Sequence, residues 1–215
     1  MDTITASITT GPDEADLQRA RVYALLAVLL ARPPSADLLE RLRGLARGTQ
    51  PGAGPETGSE TGINHALHAL GTAAAATGPS AAAREYDRLF IGLQRGELVP
   101  YASWYLTGLL QDRPLAHVRA DMARLGVARA PGVPEPEDHV AVLAETMAGL
   151  IEGRFGPPAA IEVQRDFFDR HLAPWAARFF AELEQAEAAV FYRPVGTLGR
   201  AFLDIEQEAF ALDDG

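Results

Sequence analysis

The sequence predicts an all-α fold, a single globular domain of nine or ten helices. Three observations carry that prediction. Apolar residues recur at three- and four-residue spacing in one segment after another, as in Val140, Leu143, Ala144, Met147, Leu150 and Ile151. This spacing lines one face of a helix. Gly and Pro separate the segments at helix-length intervals, as at Pro33-Pro34, Gly78-Pro79 and Gly156-Pro157-Pro158, where they stop one helix and start the next. No stretch alternates apolar and polar residues long enough to make a strand, and no fixed-period repeat points to a solenoid.

Taken in order, residues 1–12 read as a disordered tail. Asp13 caps a helix from about Glu14 to Ala31, with Leu17, Val22, Leu25, Leu26 and Leu29 in helical register. Ser35 caps a second helix to about Arg47. Residues 48–62, rich in Gly, Pro, Thr and Glu, have nothing to bury and read as a mobile loop. Helices follow over about Ile63–Ala76, Ser80–Phe90 and Ser103–Leu110, with a loop at Ile91–Pro100. Pro114 opens another helix that Gly126 stops. Arg129–Pro136, with three prolines, is an extended loop. Asp138 is a good N-cap for the helix bearing the Val140–Ile151 stripe. The remaining helices cover about Ala159–Leu172, the segment that Pro174 restarts, and the segment after Tyr192-Arg193-Pro194 to about Ala211. The helical domain is drawn over 13–215, because the first two helices are too short and apolar to stand alone.

Composition narrows the chemistry. The chain has 215 residues, long enough for a sizeable core. Its formal net charge of −10 argues against nucleic acid as a main partner, since phosphate binding needs basic patches. There is no cysteine, so disulfides, thiolate metal sites and cysteine nucleophiles are excluded. All nineteen Lys-plus-Arg residues are arginine, which removes Schiff-base chemistry and a phosphate-loop lysine. The longest apolar run, Val22–Ala31, is about half the length of a membrane span. No secretory signal is visible.

The five histidines do not assemble a metal site. His65 and His68 share a helix face without further ligands, and no Glu-x-x-His pair occurs. His139 stands apart, beside Asp138 at a helix start behind a Pro-rich loop, where free N–H groups attract anions or a peptide carbonyl. Ser103 lacks the glycines of a nucleophile elbow. Tyr101, Trp104 and Tyr105 lie close together, and such aromatics are either core or a grip on another chain. His171-Leu172-Ala173-Pro174-Trp175 reads as a tight joint between helices with Trp175 buried.

Read together, three segments resemble the TorD/DmsD family of helical chaperones for molybdenum-cofactor oxidoreductases. They are Tyr86-Asp87-Arg88-Leu89-Phe90 with Gly92, Pro100-Tyr101-Ala102-Ser103-Trp104-Tyr105, and Glu135-Pro136-Glu137-Asp138-His139. The resemblance covers roughly Arg84 to Phe210. One departure stands out: where many relatives have Gly-Pro after Leu-Phe, this chain has Gly92-Leu93, then Gln94-Arg95-Gly96-Glu97.

The resemblance implies a cytoplasmic chaperone and not an enzyme. It would bind the twin-arginine leader or the apoprotein of a molybdopterin oxidoreductase until the cofactor is inserted, with no cofactor or metal of its own. It also implies a groove lined by Tyr86, Leu89, Phe90, Pro100, Tyr101, Ser103 and Trp104, with Pro136, Asp138 and His139 at its polar end. There Asp138 would meet a leader arginine. An acidic surface with aromatic walls complements a peptide that is basic and then apolar. The run Ile91–Pro100 resembles members associated with formate dehydrogenases. Two readings compete: an assembly chaperone for a non-exported nitrate-reductase-type enzyme, and an all-α hydrolase or metalloenzyme using His139 and Asp138. Either a monomer or a domain-swapped dimer suits helices joined by Gly/Pro loops.

Overall fold

Residues 11–48, 58–92, 95–128 and 135–212 are described by the structure, a computed structural model. Residues 1–10 of the expected 1–12 tail, the centre of the expected 48–62 loop (residues 49–57) and most of the 129–136 loop lie outside them. Among the described residues ten α-helices follow in order: α1 Glu14–Ala31, α2 Ala36–Gly48, α3 Gly58–Ala76, α4 Pro79–Tyr86, α5 Ala102–Thr107, α6 Arg113–Arg124, α7 Val140–Glu152, α8 Ile161–His171, α9 Ala176–Gln185 and α10 Arg193–Leu212. A π-helical turn, Asp87–Ile91, continues α4.

Caps account for several boundaries. Asp13 accepts from the Asp16 N–H at 2.8 Å, and the Ser35 hydroxyl accepts from the Leu38 N–H at 3.2 Å. Gly126 adopts φ +70° just beyond α6, a left-handed turn that only glycine makes freely. α3 starts at Gly58, so residues 58–62 are helical and the predicted loop is shorter. α5 ends at Thr107 because Gly108, at φ +77°, serves as its C-cap. The pattern of apolar residues had carried that helix on to Leu110.

α1 is the central helix. Its apolar residues run nearly all the way round, which suits an element buried on more than one side. Tyr23, Leu26, Leu29 and Leu30 are all buried, and the helix packs against α7 and α10. α10 also lies across α9 and α3, and α2 pairs with α3. The core therefore joins Leu143, Met147 and Ile151 of α7 to Phe179, Phe180 and Leu183 of α9 and Leu198, Phe202 and Phe210 of α10.

Polar bonds fix the register of this packing. Glu206 of α10, fully buried, receives Arg19 of α1 through two bonds of 2.6 and 2.9 Å and the Tyr23 hydroxyl at 2.9 Å. A buried charge is tolerated only when paired and hydrogen-bonded in this way. Glu85 of α4 accepts the backbone N–H groups of Val190, Phe191 and Tyr192 and so ties down the α9–α10 connection. Trp175 is buried as expected and donates its indole N–H to the His171 carbonyl at 2.7 Å.

Candidate peptide-binding site

Two of the three motif segments are joined directly. The Ala102 N–H donates to the Asp138 carbonyl at 3.0 Å, and the Val140 N–H donates to the Pro100 carbonyl at 2.9 Å. These bonds form an isolated antiparallel bridge between Tyr101 and His139, the β-type pairing found among the described residues. The bridge sets α5 and α7 side by side at their N-termini.

Asp138 does not cap its own helix. One carboxylate oxygen accepts from both the N–H of Ser103 at 2.9 Å and its hydroxyl at 2.5 Å. Asp138 thus satisfies two N–H groups at the start of α5, one through its carbonyl and one through its side chain, where a helix has no partners of its own. The cap of α7 is His139, whose Nδ1 accepts from the Ala141 N–H at 3.0 Å. The sequence pattern placed the right residues at the corner and assigned the cap one residue too early. Asp138 is only 1% exposed, so in this conformation it does not reach a guanidinium outside the fold.

The electrostatics follow from burial. Burial pushes His139 down to about 4 against the pull of the Asp138 charge, so the ring is neutral at pH 7. With Nδ1 accepting a backbone N–H, the proton sits on Nε2. The Tyr101 ring meets His139 edge-on at 4.9 Å, and its hydroxyl donates to Glu135. Burial, and then the Glu135 charge, push Tyr86 up to about 12. Its hydroxyl donates to the Leu30 carbonyl at 3.1 Å. Tyr86 also packs edge-on to Phe90 at 5.0 Å, and Phe90 packs in turn on Tyr192 at 5.5 Å.

The ten residues singled out from the sequence therefore gather in one region. Tyr86, Leu89, Pro100, Ser103, Asp138 and His139 are interior, whereas Phe90, Tyr101, Trp104 and Pro136 are half-buried and keep an outward edge. On one side a groove of about 600 Å³ opens between α1 and α7. Ala24, Ala27, Val28 and Ala31 wall it, Glu135 and His139 lie along it, and Arg32, Glu145 and Arg154 edge it. On the other side α5 presents Trp104 and Tyr105, followed by Leu106, Leu109 and Leu110, which are 44%, 62% and 56% exposed. Sequence reasoning left the α1 wall, Glu135 and Leu106–Leu110 out of the site. The Ala24/Ala27/Ala31 spacing was visible but reads equally as core, and helical periodicity assigned Leu109 and Leu110 to a helix that had already ended.

The all-helical fold has a solved counterpart: a structure described as a putative redox enzyme maturation protein, from Archaeoglobus fulgidus, superposes on 87% of this chain and 94% of its own with a TM-score of 0.56, at 20% identity. The chain belongs to the nitrate reductase delta subunit family, which matches residues 56–181. It is similar to the chaperone protein TorD of Vibrio cholerae, 32% identical over 139 residues, or 61% of this chain and 62% of that one. The TorD chaperone of Vibrio parahaemolyticus is 30% identical over 132 residues, 58% of this chain and 61% of the relative. The match thus spans less than two thirds of these chaperones. Among the described residues no helix is long and apolar enough to cross a membrane.

Proposed function

We propose that this chain is a cytoplasmic maturation chaperone without enzymatic activity of its own. It binds the twin-arginine leader or the apoprotein of a molybdopterin-containing oxidoreductase and holds the enzyme until its cofactor is inserted. The supporting observation is the outer face of α5. Two aromatic rings, Trp104 and Tyr105, stand directly before the exposed Leu106, Leu109 and Leu110, on a chain similar to proteins named as chaperones. Rings that hold cations, followed by apolar side chains, complement a peptide that is basic and then apolar. In this reading Phe90, Tyr101, Trp104 and Pro136 touch the peptide. Tyr86, Leu89, Pro100, Ser103, Asp138 and His139 hold those four in place.

The test is a calorimetric titration of the full chain with synthetic twin-arginine leaders of molybdoenzymes, starting with a formate dehydrogenase leader because of the Ile91–Pro100 resemblance. One leader should bind, and Trp104→Ala should weaken it. If no leader binds and no apoenzyme co-purifies, the proposal fails. The family's description favours a second reading, assembly of a non-exported nitrate-reductase-type enzyme. Binding to that apoenzyme with no leader bound would select it.

A further inference from the structure

The outer face of α5 is not empty. The Arg95 guanidinium lies over the Trp104 ring at 4.9 Å, and the Arg178 guanidinium lies over the neighbouring Tyr105 ring at 5.6 Å. We propose that Arg95 and Arg178 are internal stand-ins for the two client arginines, occupying the aromatic seats that the leader takes, so that binding exchanges the chain's own guanidinium groups for the client's. The inference rests on the leader-binding reading and adds to it an autoinhibitory contact.

The placement of Arg95 is built by the backbone. Glu97 donates its N–H to the Arg88 carbonyl at 3.1 Å, and Leu98 to the Leu89 carbonyl at 2.8 Å, anchoring the return of the loop on the π-helical turn. Gly92 turns at φ +61°, and a Cβ there would lie 2.1 Å from the Arg95 carbonyl oxygen. A Cβ on Gly96 would meet the Leu89 carbonyl oxygen at 2.5 Å. Only glycine permits so close a fold, and the result is Arg95 laid on Trp104.

The second seat is complete for a guanidinium. Arg178 donates through Nε to Glu182 at 2.8 Å, and the Tyr105 hydroxyl donates to the other Glu182 oxygen at 2.6 Å. A ring face and a carboxylate thus hold one cation between them. The Arg178 side chain is 72% exposed, so little packing holds it against a competitor. Both seats lie on consecutive residues of one helix, and the exposed Leu106, Leu109 and Leu110 follow in the chain. A ligand with two adjacent arginines and then an apolar run meets the same groups in the same order.

The experiment uses intrinsic fluorescence of the full chain. Of its two tryptophans, Trp175 is 1% exposed and Trp104 is the reporter. The probe is a synthetic peptide with two adjacent arginines followed by about ten apolar residues. Removing a competing cation from an exposed ring should tighten binding about two- to fivefold for Arg95→Ala, and about tenfold for the Arg95→Ala/Arg178→Ala pair. A control peptide with citrulline in place of both arginines should show no such gain, and in a Trp104→Leu background, which lacks the reporter and is titrated by calorimetry, Arg95→Ala should lose its effect. Unchanged or weaker binding by Arg95→Ala, with the wild type still binding, overturns the stand-in role and leaves the leader reading intact. An equal gain with the citrulline peptide also overturns it. No binding by any form overturns both.

Discussion

Asp138→Ala removes the acceptor that holds the start of α5. Two hydrogen bonds are lost, from the Ser103 N–H and from its hydroxyl, and the N–H is left buried without a partner. A hydrogen bond to a charged group contributes about 1.5–3 kcal/mol, and an orphaned buried donor costs a similar amount. Against this, the other Asp138 oxygen is buried with no hydrogen-bond partner among the described residues, and the substitution relieves its desolvation. A net destabilisation of about 3 kcal/mol follows. In urea this lowers the unfolding midpoint by about 1 M at a slope typical of a chain this size. Asp138→Asn keeps one acceptor and should lose about half as much. Ser103→Ala combined with Asp138→Ala should fall short of additive, since both remove the hydroxyl bond, whereas Ser103→Ala alone keeps the bond from the backbone N–H. The assay is urea denaturation followed by leader titration at a denaturant-free concentration where each variant is folded. An unchanged midpoint with weakened leader binding would refute the reasoning, because Asp138 would then act on the peptide and not on α5.

Acid should weaken the fold through His139. Its folded value lies at about 4, below the ordinary 6.5, so between those two pH values the unfolded chain binds more protons. Its stability contribution is complete above about pH 6.5 and declines as pH falls towards 4, by roughly 3 kcal/mol in all. His139→Asn retains an acceptor for the Ala141 N–H and should show a shallower pH dependence in denaturation series from pH 4 to 7.5; identical slopes would exclude His139 as the source. Gly196→Ala should lower the melting temperature by about 5 °C, through an overpacking cost of about 1–3 kcal/mol. The added Cβ would lie 2.5 Å from the Glu184 N and 2.8 Å from the Phe180 carbonyl oxygen, backbone atoms that cannot turn away. Differential scanning calorimetry checks this, and an unchanged melting temperature would show that α9 and α10 can separate freely.

Much of the helical architecture was legible in the chain because caps, glycines and apolar spacing are local. Asp13, Ser35, Pro114 and Gly126 mark the ends of α1, α2 and α6 through bonds or backbone preferences within a few residues, so a reading of neighbours suffices. α1 and α7 could be recognised as buried helices from their own composition. The motif segments could likewise be identified, because their residues are consecutive. What each of those residues does was a different matter. Asp138 has the sequence context of a helix cap and does cap a helix, but through Ser103, 35 residues earlier in the chain, and no local pattern encodes that reach. Glu206 and Glu85 look like ordinary surface acids in a helical register until α1 and the α9–α10 connection are packed on them. Phe90, Tyr101, Trp104 and Pro136 are separated from six interior neighbours by how the surrounding helices pack on them, a question of burial that periodicity cannot answer. The sequence by itself determined a helical domain and the segments of its candidate site. The tertiary structure decided which side chains in that region face outward and which hold it together, because those roles depend on bonds between residues far apart in the chain.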